Sequence, residues 1–421
     1  MDTTFPDPAA HQPKPTLSEE QRERSLRHRE SPERRRFMEL LAGHRRGRLF
    51  VEDPTGHRLM FGAPLSLPLQ PFAQGLAPEA RVLVRDEAFF ARFQACQGEA
   101  LAEGYRDGLW ESANPEAVVA FLLQRTEARG PLPPGGLLQR LRQAFQGNQG
   151  GKGHVPAPFA QAPGILELPA PAPLHTPDGA PPVPTDLDEL WDSLPLRRSD
   201  QVLVLHPETA REGCERASRL GCRVVLLARS PEHAARLRGS PAGTPAPVSP
   251  EILAPGELRA ERRFDRIVAC EPFIMSGDLT PTALARLLAR HLKPTGLAAV
   301  QVLVGTRCRE TLDLDARAFL SRHAPGLAKP LAASEILAAI GETGLLQVHG
   351  WTDVSKKASQ TTAARLAALR ARPARTETRD GGDAEFRALE LCLCLHQASL
   401  ALRETQACRL LVCGPQNTAF P

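Results

Sequence analysis

The chain has 421 residues, of which 42% are hydrophobic and 24% charged, with a formal net charge of +4. That length favours two domains plus tails over one compact core, and the composition is that of a soluble globular protein. The small charge gives no electrostatic footprint for nucleic acid, no apolar run reaches the roughly 18 residues of a membrane span, and the polar start (Met1 to Pro15) lacks an apolar signal-peptide core.

Residues 1–30 read as a disordered polar lead. Between Arg22 and Arg48 lies a dense basic stretch, with Arg34-Arg35-Arg36 and Arg45-Arg46, which reads either as a helix attracting anionic lipid headgroups or as a solvated helix face. From Gly47 the texture changes. Arg48 to Gly56 and His57 to Phe61 predict two short strands joined by a Pro-x-Gly turn, and Arg81 to Arg85 a third. Asp86 is placed to cap a helix through Phe93, whose aromatics fall at helical spacing. Further helices are expected from Pro115 to Arg125 and from Gly136 to Phe145. Residues 31–146 thus form a small α+β N-terminal domain, and 147–184, rich in Gly, Pro and Ala, a linker.

From 185 to 421 the pattern alternates. Strands are predicted at Gln201–Leu205, Cys222–Ala228, Arg266–Cys270 and Gly296–Val304, with helices at Thr209–Leu220, Ser230–Arg238 and Thr280–Leu292. Strands alternating with helices in this rhythm pair in parallel through right-handed crossovers, so the expected fold is α/β and Rossmann-like, with ligands at the carboxyl ends of the strands. The nine cysteines form no Cys-x-x-Cys set and sit mostly in apolar runs such as Leu391 to Leu395, as reduced core thiols do in a cytoplasmic protein. Trp351 is expected in the core.

Three blocks carry a family likeness. Phe89-Phe90 followed by Glu103-Gly-Tyr-Arg-Asp-Gly-Leu-Trp-Glu111 resembles the Gly-Glu-Ser-Tyr-x-Asp-Gly-x-Trp segment of the N-terminal domain of cyclopropane-fatty-acid synthases. Phe264-Asp-Arg-Ile-Val-Ala269, leading to Leu292-Lys-Pro-Thr-Gly-Leu297, is similar to the Phe-Asp-x-Ile and Leu-Lys-Pro-Gly-Gly blocks of class I methyltransferases. Glu385-Phe-Arg387 through Gly414 resembles the closing helix and strand of the same synthases. The resemblance spans about residues 47 to 414. It implies a class I methyltransferase domain that binds S-adenosylmethionine (SAM), preceded by the smaller α+β domain.

The residues such chemistry needs are largely replaced. Where the family carries Asp-x-Gly-x-Gly, this chain reads Val204-Leu205-His206-Pro207-Glu208-Thr209-Ala210. Val204 stands at the acid, and His206 and Glu208 stand at glycines that let backbone approach the cofactor. Pro207 also removes a donor. Ser230 is kept after the second strand, where it reads more simply as a helix N-cap, and His233 takes a family Gln position. The resemblance places the family's bicarbonate-holding Glu-His pair at Ile274 and Met275, its fourth-strand His at Gln301, and its tyrosine near Ala358. Glu271, with His206 and Glu208, reads as a loop residue or as part of a rebuilt polar site, and no third ligand accompanies His206 and Glu208 for a metal.

The expectation is therefore a catalytically degenerate homologue of cyclopropane-fatty-acid synthases. It would need no cofactor and act as an accessory or lipid-binding protein in bacterial acyl-chain modification. The alternative is a divergent SAM-dependent methyltransferase acting on unsaturated phospholipid acyl chains. The partners implied are a catalytically intact paralogue, an anionic phospholipid surface at the inner membrane face, and a homo- or hetero-dimer mate. Tyr105, Asp107, Gly108 and Trp110 form the best-kept block, read as a glycine-bearing turn pinned by aromatic packing or as a lipid-access element.

Overall fold

A computed structural model describes residues 32–42, 44, 46–69, 76–123, 186–205, 211–228, 230–239, 250–269, 280–306, 319–320, 323, 330–371 and 382–417. The expected lead (1–30), the helix at Gly136–Phe145 and the linker (147–184) lie outside the described residues.

The smaller sheet has the order β2-β1-β3-β4, formed by β1 (Arg48–Glu52), β2 (Arg58–Gly62), β3 (Glu79–Val84) and β4 (Trp110–Glu111). Strands β1 and β2 are antiparallel, as the Pro-x-Gly turn predicts, while β1 and β3 are parallel. Gly62 turns the chain with φ +97°, and a Cβ there would meet the carbonyl oxygen of Gly47 at 2.2 Å, so only glycine fits. Helices α1 (Pro32–Ala42), α2 (Ala88–Arg106) and α3 (Pro115–Leu123) accompany this sheet. The N-cap of α2 is Glu87 rather than the expected Asp86, which stands one residue earlier and accepts from the Ala88 N–H through Oδ1 at 2.8 Å. The helix runs thirteen residues past the expected end at Phe93, to Arg106.

The basic stretch is not uniformly a surface feature. Arg34, 2% exposed, forms a buried ion pair with Asp53 and lies over the Phe90 ring. Arg48 is also buried, and its guanidinium donates to the carbonyls of Ala63, Pro64 and Leu67 and to Glu79. Both readings of the stretch, solvated or lipid-facing, fail for these two arginines, because each neutralises an acid or collects carbonyls inside the fold. Arg35 and Arg46 are exposed.

The larger sheet has seven strands in the order β10-β11-β9-β8-β5-β6-β7. They are β5 (Gln201–Leu205), β6 (Arg223–Leu227), β7 (Glu251–Leu253), β8 (Phe264–Ala269), β9 (Leu292–Gly305), β10 (Gln347–Asp353) and β11 (Thr405–Cys413). Strands β5 to β9 are mutually parallel where they pair, and β11 runs antiparallel between β9 and β10. The near-continuous apolar runs of β5, β6, β8 and β9 are buried on both faces, as parallel strands require. The crossovers use α5 (Arg211–Arg219), α6 (Pro231–Gly239), α7 (Pro281–His291) and α8 (Ala333–Glu342); α4 (Asp186–Asp192) precedes β5. Helix α7 starts where Thr280 and Pro281 predict, with Thr280 Oγ1 accepting from the Ala283 N–H. Chain order reverses between β5 and β8: the first three strands step outward through β6 and β7, then the chain returns to build β8 and β9 on the other side. A doubly wound sheet places its ligand crevice at that switch.

Two helices close the architecture: α9 (Ser355–Arg370) and α10 (Gly382–Ala401). Although α10 follows the Rossmann-like strands in sequence, its buried residues share one apolar core with the smaller sheet, including Phe89, Tyr105, Trp110 and Phe121 together with Leu389, Leu391, Leu393 and Ala398. Trp351 corrects an expectation. It is 36% exposed, because it stands on β10, the outermost strand, rather than in the core. The six cysteines Cys214, Cys222, Cys392, Cys394, Cys408 and Cys413 are free and buried, in accord with their apolar sequence settings.

Candidate functional site

Two places answer to the expected site residues. The first is the carboxyl edge of the large sheet. Val204, the penultimate residue of β5, is fully buried between Leu226 of β6 and Val268 of β8. Its side chain belongs to an apolar cluster with Trp191, Cys214 and Ala217. Among the described residues, those that end β5, follow β6 and end β8 at this edge are Leu205, Ala228 and Ala269, all buried and apolar. His206, Pro207, Glu208 and Ala210 lie outside the described residues, as do Glu271, Ile274 and Met275. Ser230 does what an N-cap does: its Oγ accepts from the His233 N–H at 3.1 Å, opening α6. His233 is buried in that helix, Gln301 is buried on β9 in register with Arg409 of β11, and Ala358 is buried in α9. These three thus stand on two helices and a strand.

The second place is built around the Tyr105 block. Gly104 and Tyr105 form the last turn of α2, and Asp107 follows as its cap. Gly108 takes φ +74° and sends the chain into Trp110 of β4. Residue 104 must be small, since its ideal Cβ would lie 3.2 Å from Phe89 and 3.3 Å from Trp110. The Tyr105 and Trp110 rings sit 4.8 Å apart, and the indole N–H donates to the Leu101 carbonyl at 2.7 Å. The pinned, glycine-bearing turn is therefore present, with its first residues still helical.

This turn faces α10. The Tyr105 hydroxyl donates to Glu390 Oε2 at 2.6 Å, and Arg370 of α9 donates to Glu390 Oε1 at 2.7 Å. Arg370 reaches onward to both carboxylate oxygens of Glu116 in α3, at 3.2 and 2.7 Å. Arg387 lies over the Tyr105 ring and donates to Glu111, while Asp107 is held by Arg92 and Arg106. Burial, then the Glu390 carboxylate beside it, push the Tyr105 phenol far above its ordinary value, so it stays a donor. Burial works against the Arg370 charge, yet its bonds to Glu116 and Glu390 hold the proton more firmly than usual. The same pairing outweighs burial at Glu116 and keeps its carboxyl below the usual range.

A cleft of about 290 Å³ opens here, lined by Tyr105, Glu111, Ser112, Asp383, Phe386, Arg387 and Glu390. Each of its carboxylates already has an arginine partner: Glu111 with Arg85 and Arg387, Asp383 with Arg387, Glu390 with Arg370. The network is saturated. It is suited to holding α10 against the smaller sheet; the thiol beside it, Cys394 at 3.8 Å from Glu116, is buried, and burial, then the Glu116 charge, push it well above its ordinary value, so it is not an activated nucleophile. Among the described residues no group of His, Cys, Asp and Glu could hold a metal ion.

The sequence reading found Tyr105, Asp107, Gly108 and Trp110 but not their partners. Glu390 and Arg370 carry no local signature; Arg387 alone falls within the family-like run Glu385-Phe-Arg387.

No protein-family model matches the sequence, and no curated protein matches it. Solved structures do. Coclaurine N-methyltransferase bound to N-methylheliamine and SAH matches with a TM-score of 0.50 at 12% identity, over 74% of this chain and 98% of that one. The cyclopropane synthase MmaA2 from Mycobacterium tuberculosis gives a TM-score of 0.45 at 16% identity, over 54% of this chain and 82% of that one. The mycolic acid cyclopropane synthase CmaA1 complexed with SAH and CTAB gives 0.46 at 15% identity over 54% and 82%. At these identities the likeness is one of fold. Together with the strand order it makes the larger unit a Rossmann-like class I methyltransferase fold. No helix among the described residues is long and apolar enough to cross a membrane.

Proposed function

We propose that this chain is a catalytically degenerate homologue of the cyclopropane-fatty-acid synthases, acting as an accessory or lipid-binding protein in membrane acyl-chain modification. One observation carries the reading. The position where the family resemblance calls for an acid holds Val204, buried in an apolar cluster. An uncompensated carboxylate in such surroundings would be driven to its neutral form, which supports an edge that does not receive the cofactor. The loop sequence agrees: His206 and Glu208 put side chains where close backbone approach needs glycine, and Pro207 offers no N–H. The acyl-chain setting rests on the sequence blocks and on fold analogy. The proposed partners are a catalytically intact paralogue and an anionic phospholipid surface, with the protein cytoplasmic and peripheral at the inner membrane face. No cofactor is required.

Calorimetric titration of the full chain with SAM and with its demethylated product tests the reading. It requires no saturable heat up to about 1 mM ligand. Saturation in the micromolar range, with labelled carbon passing from SAM to unsaturated phospholipid, would establish the divergent methyltransferase instead.

A further inference from the structure

The two sheets have four outer strands, and three of them are blunted. β7 is three residues long, with Glu251 paired to Arg262 at 2.7 Å. β4 is two residues long, and its Glu111 is held by Arg85 and Arg387. β2 carries Arg58, paired to Glu52 of the neighbouring strand at 2.7 Å. Short length and charge are the usual protections of an open sheet edge. The fourth, β10, is the longest of them and carries charge only at its end. It is seven residues long, Gln-Val-His-Gly-Trp-Thr-Asp, and every residue but Gly350 is exposed. Its one carboxylate, Asp353, stands at the end and accepts from the Ser355 N–H of its own chain at 2.8 Å. Val348 and Trp351 are exposed on it, and Leu337 and Leu345 lie exposed in α8 and in the turn leading to β10.

We infer that β10 pairs with β10 of a second copy of this chain, antiparallel about a two-fold axis at Gly350, joining two seven-stranded sheets. The charge pattern selects this arrangement. Parallel pairing would set Asp353 against Asp353, and like charges directly opposite are unfavourable. Antiparallel pairing about Gly350 sets Asp353 opposite Gln347, an amide that can donate to it, and His349 opposite Trp351. Val348 then faces Thr352, and only Gly350 meets itself, where the lack of a Cβ lets two backbones close. The strand's single irregularity, a bulge at His349, lies beside that axis. A two-fold contact of this kind is closed and self-complementary, so it ends at a dimer. The inference does not depend on whether the chain binds SAM.

Sedimentation velocity of the full chain from about 1 to about 100 μM tests it. The expected result is a concentration-dependent monomer–dimer equilibrium. Val348→Lys and Thr352→Lys, both at exposed positions, are each expected to weaken dimerisation about tenfold or more, while the circular dichroism of the dilute protein is unchanged. The double variant V348K/T352E places opposite charges face to face twice and is expected to restore the dimer, a rescue that a misfolded variant would not give. A chain that stays monomeric throughout would overturn the inference. So would a dimer indifferent to both lysines, or one that the double variant fails to rescue.

Discussion

The Tyr105 hydroxyl donates to the Glu390 carboxylate at 2.6 Å across 285 positions of sequence. That bond joins the block most like the synthases' N-terminal domain to a helix that otherwise belongs, in chain order, to the Rossmann-like part. Arg370 and Glu116 extend the connection to α9 and α3. Breaking one member of a buried, paired set costs more than the set contributes, because the survivors stay desolvated. Glu390→Ala is therefore expected to lose about 3 kcal/mol or more in urea unfolding, and Tyr105→Phe about 1–2 kcal/mol. A double-mutant cycle should show coupling well above the scatter for independent sites, about 0.5 kcal/mol.

Acid should weaken the same half of the molecule. At Asp53 burial alone would raise the carboxyl, but bonds from Thr55, the His57 N–H and Arg34, with the Arg34 charge, bring it below the ordinary carboxylate range. Glu116 is likewise lowered from 4.5. A carboxyl depressed in the folded state contributes stability that is full above its unfolded pKa and fades as pH falls through the folded one. Stability is thus expected to hold from neutrality down to about pH 5 and to decline below it. Asp53→Asn should be less stable at neutral pH and show a shallower decline, read from denaturation midpoints across pH 2–7. A steeper decline in the variant would contradict the assignment.

Val204→Asp tests the apolar surroundings of this position directly. The side chain is enclosed by Leu226, Val268 and the Trp191 cluster. Placing a carboxyl there is expected to cost about 3 kcal/mol or more, among the larger effects of single substitutions. Val204→Ala should cost less, leaving only a small cavity. An aspartate tolerated within about 0.5 kcal/mol would mean that polar space exists at this position.

Arg48 makes a fourth case. Its fork collects three backbone carbonyls from residues 63–67 and one carboxylate. Lysine keeps the charge but has neither the planar fork nor the five donors. Arg48→Lys is expected to speed proteolytic cleavage within Pro64–Pro68 and to lower the melting temperature. An unchanged cleavage pattern would show that the loop is held by other means.

The parallel strands were readable because each is an apolar run between helical repeats, and β5, β6, β8 and β9 stand close to their expected places. What escaped was whatever lacks local periodicity. β7 has three residues, too few for a pattern. β10 reads as a polar run broken by glycine, because an edge strand need not be apolar, and nothing local to Trp351 marks it as an edge residue rather than a core one. α10 was anticipated as a helix, but no spacing could tell that it would pack on residues nearly 300 positions earlier. At the site, glycine and aromatics announced the turn, whereas Glu390 and Arg370 gain meaning only from their partners. Arg34 and Arg48 went the other way: within a run of arginines, nothing local marks those that will be buried.

Because β11 lies between β9 and β10 while α10, just before it, completes the core around the smaller sheet, both halves of the molecule wait on the same late stretch of chain. During synthesis neither can finish until residues 382–413 leave the ribosome. Until then the growing polypeptide carries an unfilled seam beside β9 and an uncovered apolar face on α2 and α3, the kind of surface that nascent-chain chaperones hold.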